Sequence, residues 1–420
     1  MFDKILAEQY NTRGMALLSK REYSLAVEDF DKAIQFYPYD PIYHENKARA
    51  LYFLGRYGEA LKEVEEALRL DPNSRTAMRL KEEITHEMLK RKTWDPKLWI
   101  GRRLYDYLIT AVIGEGSNGY VLRGEREGKA VAIKVVRLEN EKGKRTVTIS
   151  ALNYIEEIFK EAGTLKEISA KNENYFVRLY GVYFDEFNIK DILRGELSVY
   201  LNSPPAIIME FMKGGTADDL MKKQNVVNSV YWPLIVKKLT LEIAKALLIL
   251  HKNGFVHLDI KPKNIFFADE VGNYGEEVLK KINVKLGDLG SAVRARTVPF
   301  QATPEYCPPE QIEAVVFRRG AKPAMDIFAL GMTAYKLLTM SDLPHATLLS
   351  NAIDHILAGN PAAALQELKN AKEILQSMKL TFPSNTPEEL KKVIVSSLSV
   401  EPYKRATAEE IIQILGWRTK

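Results

Sequence analysis

His257-Leu-Asp-Ile-Lys-Pro-Lys-Asn264 (HLDIKPKN) is the stretch of sequence that decides the fold, and the apolar Ile-Phe-Phe follows it directly. Asp259 and Asn264 lie five positions apart in it, with Lys261 between them. A second polar stretch, VKLGDLGSA, places Asp288 at the end of a predicted strand, where a carboxylate can chelate Mg²⁺. We therefore treat Asp259, Lys261, Asn264 and Asp288 as candidate site residues.

A glycine-rich loop lies upstream of these stretches. After ITAVI, which predicts a strand, comes GEGSNGYV with Gly114, Gly116 and Gly119. Glycines at this spacing let the backbone pass close to phosphates, but dinucleotide-binding folds share the pattern. A dinucleotide fold opens a helix at the third glycine, whereas YVLRGEREGKAVAIKVV predicts strand, turn and strand. The segment resembles the nucleotide-binding lobe of a protein kinase, in which Lys134 arrives 20 residues after Gly114.

The resemblance to protein kinases implies a role for each polar residue. Asp259 would accept the proton of the substrate hydroxyl, and Asn264 and Asp288 would hold the metal ion. Lys134 and Lys261 would stabilise phosphate charge, and a Lys two positions after the Asp is typical of serine/threonine kinases. The implied fold is α+β and bilobal, with a small β-rich lobe and a large helical lobe. The implied cofactors are ATP and Mg²⁺, with Mn²⁺ as an alternative metal.

The family also requires a carboxylate on a helix that holds Lys134. IEEIFKEAGTLKEI predicts this helix, and Glu161 is the best match because Leu165 then falls one turn on and faces the core. Glu156 and Glu157 are the alternative partners. A solvated helix face is a further alternative for Glu161, because helices carry many exposed acidic residues.

The strand in PAIIMEFMKGG predicts the edge at which the base binds. By resemblance, Met209 lies at the back of the pocket and the hinge runs from Glu210 to Met212. Val121 and Ala132 would cover the base from above, beside the three glycines. A plain core strand accounts for Met209 equally well.

Two positions depart from the family pattern. Leu289 replaces the usual Phe after Asp288, and its apolar bulk can still fill the same slot. Leu258 stands where many protein kinases carry an Arg that pairs with a phosphate on the activation segment. Because Leu258 cannot make a charge-assisted bond, we expect activity without phosphorylation of Ser291 or Thr297 in that segment.

The remaining family elements, in a resemblance that spans about residues 105–418, predict structural contacts. Glu310 is expected to pair with Arg405, and Asp326 to anchor the backbone of the catalytic loop. The hydroxyl of Thr303, in a segment that resembles the substrate-binding loop of serine/threonine kinases, is expected to help align that loop. The predicted surface insertions are residues 139–150, 185–204 and 270–283.

The first part of the chain repeats at a spacing of 34 residues, and the recurring pairs are Gly14 and Ala48, Ala26 and Ala60, Ala33 and Ala67, and Pro38 and Pro72. Small residues at fixed offsets let two antiparallel helices approach closely, and each Pro ends a helix. The pattern resembles tetratricopeptide repeats over residues 7–74, and a charged helix over 75–92 would cap the stack. Such repeats imply a peptide or protein partner in their groove; a platform that only packs on its neighbour is the alternative.

The predicted domain organisation has three parts: a repeat domain over residues 1–92, an aromatic junction over 93–106 and a kinase domain over 107–420. The junction carries Trp94, Trp99, Tyr105 and Tyr107, which are too apolar for a free linker. We expect them to clip the repeats to the kinase domain. Repeats joined to a kinase in this way are similar to the repeat-containing serine/threonine kinases of Sulfolobus-type archaea.

Composition excludes several classes of protein. With 46% hydrophobic residues and a net charge of +5, the 420-residue chain is not disordered as a whole. The balance of 60 basic and 55 acidic residues predicts neither a nucleic-acid nor a membrane partner. Cys307 is the single cysteine, so an internal disulfide is excluded. No signal peptide or membrane-spanning run is evident, and we expect a soluble, cytoplasmic protein that acts on protein substrates.

The leading hypothesis is an ATP- and Mg²⁺-dependent protein serine/threonine kinase. A catalytically weak pseudokinase scaffold is the alternative, suggested by Leu258 and Leu289, although no residue expected to touch phosphate or metal is missing. A small-molecule kinase is disfavoured because the segment TPEYCPPE would then have no peptide to bind.

Overall fold

The computed structural model describes residues 2–90, 95–116, 119–137, 159–168, 172, 174–193 and 197–416. These residues form two compact units. The first contains the described residues of 1–103, 137–148 and 190–203, and the second contains those of 104–136, 149–189 and 204–420. The first unit is built mainly of helices, and the second combines a sheet with helices, which confirms the predicted fold class.

Successive antiparallel helices form most of the first unit. Their bounds are α1 (Phe2–Ser19), α2 (Tyr23–Phe36), α3 (Pro41–Phe53), α4 (Tyr57–Leu70) and α5 (Arg75–Lys90). Each helix packs on the next, so that α1 contacts α2, α2 contacts α3, α3 contacts α4 and α4 contacts α5. This is the stack of helix pairs that the 34-residue spacing predicts.

The close approach of α1 to α2 and the start of α3 have visible causes. A Cβ atom on Gly14 would lie 2.6 Å from the ring of Phe30, so only glycine lets α1 approach α2 this closely. Asp40 begins α3 by accepting a hydrogen bond from the backbone N of Ile42 at 3.1 Å, with Pro41 in the first helical position. The sequence pattern therefore encodes both the approach of the helices and their start.

A six-stranded sheet forms the small part of the second unit. Its strands are β1 (Arg103–Leu104), β2 (Tyr107–Glu115), β3 (Gly119–Arg126), β4 (Lys129–Val136), β5 (Leu179–Tyr183) and β6 (Ala206–Glu210), in the order β1-β2-β3-β4-β6-β5. Antiparallel pairing places Lys134 opposite Val121 on β3 and Ala132 opposite Met209 on β6. The helix α6, of which residues 159–168 are described, follows β4 in the chain.

The prediction that residues 185–204 form a surface insertion is wrong. The segment forms α7 (Glu186–Leu193) and α8 (Leu197–Asn202), and Tyr200 and Leu201 are buried. In the first unit, the indole Nε1 of Trp99 donates to the backbone O of Leu201 at 3.0 Å, and its ring packs edge-on against Tyr200. Apolar residues of the insertion thus complete the core around Trp99, whereas Trp94 lies outside the described residues.

The larger part of the second unit is helical. Its helices are α9 (Ala217–Met221), α10 (Gln224–Val227), α11 (Trp232–Lys252), α12 (Gly275–Lys280), α13 (Pro309–Val316), α14 (Pro323–Thr339), α15 (His345–Leu357), α16 (Pro361–Ser377), α17 (Glu388–Ser397) and α18 (Ala408–Gly416). Two short antiparallel pairs join β7 (Phe255–Val256) to β10 (Val293–Arg294) and β8 (Ile265–Phe267) to β9 (Val284–Leu286). Both pairs flank the polar stretches that contain Asp259 and Asp288.

The core of this part lies around α11 and α14, whose apolar faces are almost entirely buried. The predicted surface insertion 270–283 contributes α12 to it, because Val278 is fully buried in the same cluster. The prediction that residues 270–283 lie on the surface is therefore wrong for α12. The insertion at 139–150 lies outside the described residues. Among the described helices, none has the length and apolar character needed to cross a bilayer.

Candidate active site

A buried carboxylate holds the start of the loop between β7 and β8. Asp326, on α14, accepts hydrogen bonds from the backbone N of His257 at 2.8 Å and of Leu258 at 2.7 Å. It also bonds the Nε2 of His251 at 2.8 Å and is itself fully buried. These bonds fix the start of the loop, as predicted for Asp326, and they hold Leu258 at a positive φ of 69°.

The carboxylate of Asp259 is the centre of a polar cluster. Its Oδ1 accepts from the Thr303 hydroxyl at 2.6 Å, and its Oδ2 accepts from the Asn264 amide at 3.0 Å. The Nζ of Lys261 lies 2.8 Å from Oδ2 and donates to the Thr303 hydroxyl at 3.3 Å. Asp259 is therefore oriented from three sides by groups that donate hydrogen bonds to it.

A second cluster joins strand, helix and loop at Lys134. Its Nζ lies 2.6 Å from a carboxylate oxygen of Glu161 on α6 and 2.9 Å from one of Asp288. Burial by itself would lower the pKa of Lys134, but Asp288 and Glu161 raise it above its usual value. Lys134 in turn lowers the pKa of Asp288. Of the three helix acids proposed as the partner, Glu161 makes the contact, and Glu156 and Glu157 lie outside the described residues.

Both clusters border one cavity of about 980 Å³ in the second unit. Every candidate residue lines it, and they are Gly114, Gly116, Gly119, Val121, Ala132, Lys134, Glu161, Met209, Glu210, Met212, Asp259, Lys261, Asn264 and Asp288. The glycine loop closes on itself, because the backbone N of Gly116 donates to the O of Gly119 at 2.9 Å. A cavity bordered by glycines, four Lys and three Asp suits a ligand with phosphate groups and a metal ion.

This geometry and the sequence agree with one family. The family model of the protein kinase domain matches residues 107–415. The chain belongs to the protein kinase family. Two models of the tetratricopeptide repeat match residues 7–40 and 41–74, which confirms the predicted repeats. The predicted domain boundaries at residues 92 and 106 stay predictions.

Several known kinases are similar to this one. It is 42% identical over 329 residues to the serine/threonine-protein kinase ArnS of Sulfolobus acidocaldarius, covering 77% of this chain and 51% of that protein. It is 28% identical over 275 residues to the interferon-induced, double-stranded RNA-activated protein kinase of Rattus norvegicus, covering 62% and 47% of the two chains. The chain thus spans about half the length of these relatives. The predicted resemblance to Sulfolobus-type serine/threonine kinases is confirmed.

The residues of the kinase cavity fit a magnesium nucleotide. The Asp288 carboxylate and the Asn264 side chain both line the cavity, and Mg²⁺ prefers such oxygen ligands. Because Nδ2 of Asn264 donates to Asp259, the amide oxygen is the atom left for a metal. Among the described residues no group of three or more His, Cys, Asp or Glu could hold a metal ion alone. A metal that also takes phosphate oxygens needs only these few protein ligands.

Sequence reasoning missed the environment of Glu210. Its carboxylate lies 2.8 and 2.7 Å from the Nζ of Lys285 on β9, and it also accepts from the backbone N of Arg178 at 3.2 Å. Lys285 is buried, three residues before Asp288. A Lys in the middle of the short apolar strand VKL is the signal that pointed to a buried partner.

The two departures from the family pattern are accommodated by apolar packing. Leu289 is fully buried in the same cluster as Leu165 on α6. Leu258 is buried with Val293 and Met325 in a separate apolar cluster. The structural pair Glu310 and Arg405 lies 2.5 Å apart, as predicted. Neither Leu therefore leaves a hole in the core.

Proposed function

We propose that the protein is an ATP- and Mg²⁺-dependent protein serine/threonine kinase that transfers the γ-phosphate to Ser and Thr hydroxyls of proteins. The observation that carries the proposal is the position of Asp259, which lines the same cavity as Lys134 and Asp288. A hydroxyl acceptor and a phosphate donor can therefore share one enclosed space. The whole reaction needs little covalent chemistry from the protein, so positioning and charge are sufficient.

Asp259 receives the proton of the acceptor hydroxyl in this proposal. Thr303 and Asn264 fix the rotation of the carboxylate through their hydrogen bonds to its two oxygens. The fixed carboxylate then orients the acceptor hydroxyl so that its oxygen points at the γ-phosphate that it attacks. Lys261 bonds both Asp259 and Thr303, so it brings a positive charge to the place where the transferred group passes.

Lys134 and Asp288 hold the donor side of the cavity. ATP with Mg²⁺ supplies the phosphoryl group and neutralises its negative charge. Lys134 stays protonated because two carboxylates face it, and its bond to Glu161 would hold it in place if Asp288 bound a metal ion. The lowered pKa of Asp288 keeps its oxygens ionised, as metal binding requires. Met209, Glu210 and Met212 line the wall proposed for the base.

The alternative of a pseudokinase scaffold has no support in the cavity. Asp259, Asn264, Lys134 and Asp288 are all present, and their side chains border the same space. The test is transfer of labelled γ-phosphate from ATP to generic protein substrates by the purified chain. Incorporation that Asp259→Asn abolishes is the expected result, and wild-type protein without transfer at any Mg²⁺ or Mn²⁺ concentration would contradict the proposal.

The repeats are proposed to bind a peptide or protein partner. A shallow surface along α1, between Ile5 and Ala16, supports this role. Ile5 is half-exposed there and offers an apolar contact. Binding of partner peptides to the full chain should weaken in Ile5→Asp without a change in kinase rate. A cytoplasmic location belongs to the same proposal, since Cys307 is a free thiol.

A further inference from the structure

Tyr105 lies in the turn between β1 and β2, in a backbone conformation that is unusual for an aromatic residue. Its φ is 51°, and that of Asp106, the next residue, is 70°. Bulky side chains seldom adopt this left-handed region, and such residues persist only where the surrounding structure holds them. The contacts of the Tyr105 side chain must therefore offset the strain of its backbone.

The Tyr105 side chain contacts two segments that are far apart in the sequence. Its ring stacks on Tyr183, the last residue of β5, with 3.9 Å between the ring centroids and 23° between the ring planes. Its hydroxyl donates a hydrogen bond to the backbone O of Pro204. Burial raises the pKa of the Tyr105 phenol above its usual value, so the hydroxyl keeps its proton for this bond.

The two contacts of Tyr105 lie at the two ends of the insertion between β5 and β6. Tyr183 pairs with Ala206, the first residue of β6. Directly before Ala206, the backbone O of Pro205 accepts a hydrogen bond from the N of Val136 on β4 at 3.3 Å. The chain of the insertion forms α7 and α8 and then returns to the sheet. Tyr105 therefore closes the base of the insertion at the point where β6 begins.

The sequence of β6 specifies its own register only weakly. Its first three residues, Ala206, Ile207 and Ile208, are all buried, so apolar side chains face both sides of the sheet. A strand that alternates apolar and polar residues resists slippage, because a slip of one residue would expose its apolar face. Since these three residues lack that alternation, a contact at the start of β6 can decide its position.

The position of β6 in turn sets one wall of the cavity. Met209 lies opposite Ala132 on β4, and both border the cavity together with Glu210, the last residue of β6. Because successive side chains of a strand point to opposite faces, a displaced β6 would present different side chains there. The start of the strand thus controls the wall proposed for the base.

We propose that Tyr105 is a positioning residue for the nucleotide: by joining the end of β5 to the chain just before β6, it fixes β6 and the side chains that meet the base. The inference rests on the proposed function, since it assumes that a nucleotide occupies the cavity. Among the described residues, those that line the cavity do not include Tyr105. Tyr105 therefore acts through β6 and not by contact with the ligand.

The test measures binding of Mg·ADP to the full chain by calorimetry, which reports the dissociation constant (Kd) and the fraction of competent protein separately. Tyr105→Phe keeps the ring and removes the hydrogen bond, so it should raise Kd about threefold. Tyr105→Leu removes both contacts and should raise Kd about tenfold. The fraction of competent protein, and kcat at saturating ATP, should stay within about twofold of wild type in both variants.

Two further variants separate positioning from stability. Tyr183→Leu removes the same ring contact from the other side, so it should raise Kd about threefold, and the double variant with Tyr105→Leu should bind no more weakly than Tyr105→Leu alone. Tyr274→Leu is the matched control, because Tyr274 is exposed and lies outside the cavity lining, and it should keep the wild-type Kd.

An unchanged Kd in Tyr105→Leu, with a lower midpoint of thermal unfolding or a smaller fraction of competent protein, would show that Tyr105 only stabilises the fold. That result would overturn the inference and leave the proposed function intact. If Tyr105→Leu does not fold, Tyr105→Phe and Tyr183→Leu decide, and a wild-type Kd in both would overturn the inference. Failure of the wild-type chain to bind either Mg·ADP or Mg·ATP would overturn the proposed function as well.

Discussion

Partly buried ion pairs occur in both units, and in each a Lys faces two carboxylates. In the repeats, Lys47 on α3 lies 2.7 Å from Asp31 on α2 and 2.6 Å from Glu63 on α4. In the second unit, Lys134 joins Glu161 and Asp288 at 2.6 and 2.9 Å. The carboxylates raise the pKa of both Lys against the effect of burial.

What differs is the space beside each cluster. The side chains around Lys47 connect three successive helices of the repeat stack. Those around Lys134 face a cavity of about 980 Å³ together with Asp259. A partly buried ion pair alone therefore does not indicate a functional site, since structural networks shift pKa values as well. We therefore expect charges at the cavity to control the phosphorylation rate, and charges in the repeats to control the free energy of unfolding.

The largest effect is expected at the cavity. Asp259→Asn and Asp288→Asn should each lower phosphoryl transfer by at least about 10²-fold, because a proton acceptor or a metal ligand is lost. Asp259→Asn should still bind Mg·ATP, whereas Asp288→Asn should bind it poorly, as measured by calorimetry. The midpoint of thermal unfolding should change little in either variant. Glu409→Gln, which changes an exposed acid on α18, is the control. Near-normal rates in both Asp variants would contradict the expectation that charges at the cavity control the rate.

A repeat charge should show the opposite behaviour. Glu63 accepts from His44 at 2.8 Å and from Lys47 at 2.6 Å, so Glu63→Gln should lower the free energy of unfolding by about 1–3 kcal/mol. The phosphorylation rate should stay within about twofold of wild type. Glu66→Gln on the same helix is the control, because the exposed pair with Arg69 is worth at most about 1 kcal/mol. A large loss of rate in Glu63→Gln would show that the repeats act on catalysis.

The same Glu63 predicts a pH dependence. Burial raises its pKa, but hydrogen bonds from His44 and Lys47 outweigh burial and hold the pKa below the usual 4.5. A carboxylate whose pKa is lower in the folded protein stabilises it above the unfolded pKa, and this stability is lost as the pH falls through the folded pKa. Below about pH 4.5, wild type should therefore lose more stability than Glu63→Gln. Parallel pH curves of the two proteins would contradict this.

Lys285 is intermediate between a charge in the repeats and a charge at the cavity. Its pair with Glu210 joins two strands, like a repeat charge, yet Glu210 lines the cavity. Lys285→Met leaves Glu210 charged and without its Lys, so the wall proposed for the base should shift. We expect KM for ATP to rise about tenfold, equivalent to about 1.4 kcal/mol, with kcat changed less. Lys285→Arg should restore most of the affinity, and exposed Lys280→Met should change nothing. Loss of stability with an unchanged KM would mark the pair as structural only.

Sequence reasoning was strongest where contacts are local. Asp259 and Asn264 lie in one short loop, so their spacing alone predicts that they meet. The partner of Lys134 needed the placement of a helix 27 residues away, which left three candidate acids. The pairs of Lys285 with Glu210 and of Trp99 with Leu201 span 75 and 102 residues. Such contacts depend on how distant segments pack, so a local pattern such as VKL can indicate a buried partner but not which residue it is.

The smallest effect is expected at the activation segment, which polar and apolar contacts already hold. Leu258 is buried among apolar residues where an Arg would need a phosphate. The buried amide of Gln311 donates to the backbone O of Leu258 and of Gln301, both at 3.0 Å. The Ser291 hydroxyl donates to the side chain of Gln301 at 2.5 Å and is buried. Gln311 and Thr303 thus join the catalytic loop to the segment without a phosphate group.

Thr297 is the exposed hydroxyl that tests this arrangement. Its backbone already bonds Arg294 and Ala321, so a phosphate on its side chain is not needed to place the segment. After phosphatase treatment, checked by mass spectrometry, we expect full initial rates without a lag, and Thr297→Ala within about twofold of wild type. Gln311→Ala should lower the phosphorylation rate more than Thr297→Ala does. It removes one hydrogen bond to the catalytic loop and one to the activation segment. A lag that ends as Thr297 becomes phosphorylated, or a drop of more than about tenfold in Thr297→Ala, would show that phosphate orders the segment after all. In that case the charges at the cavity would not control the rate alone. A phosphate added to Thr297 after synthesis would control it as well, which no charge in the repeats does in this comparison.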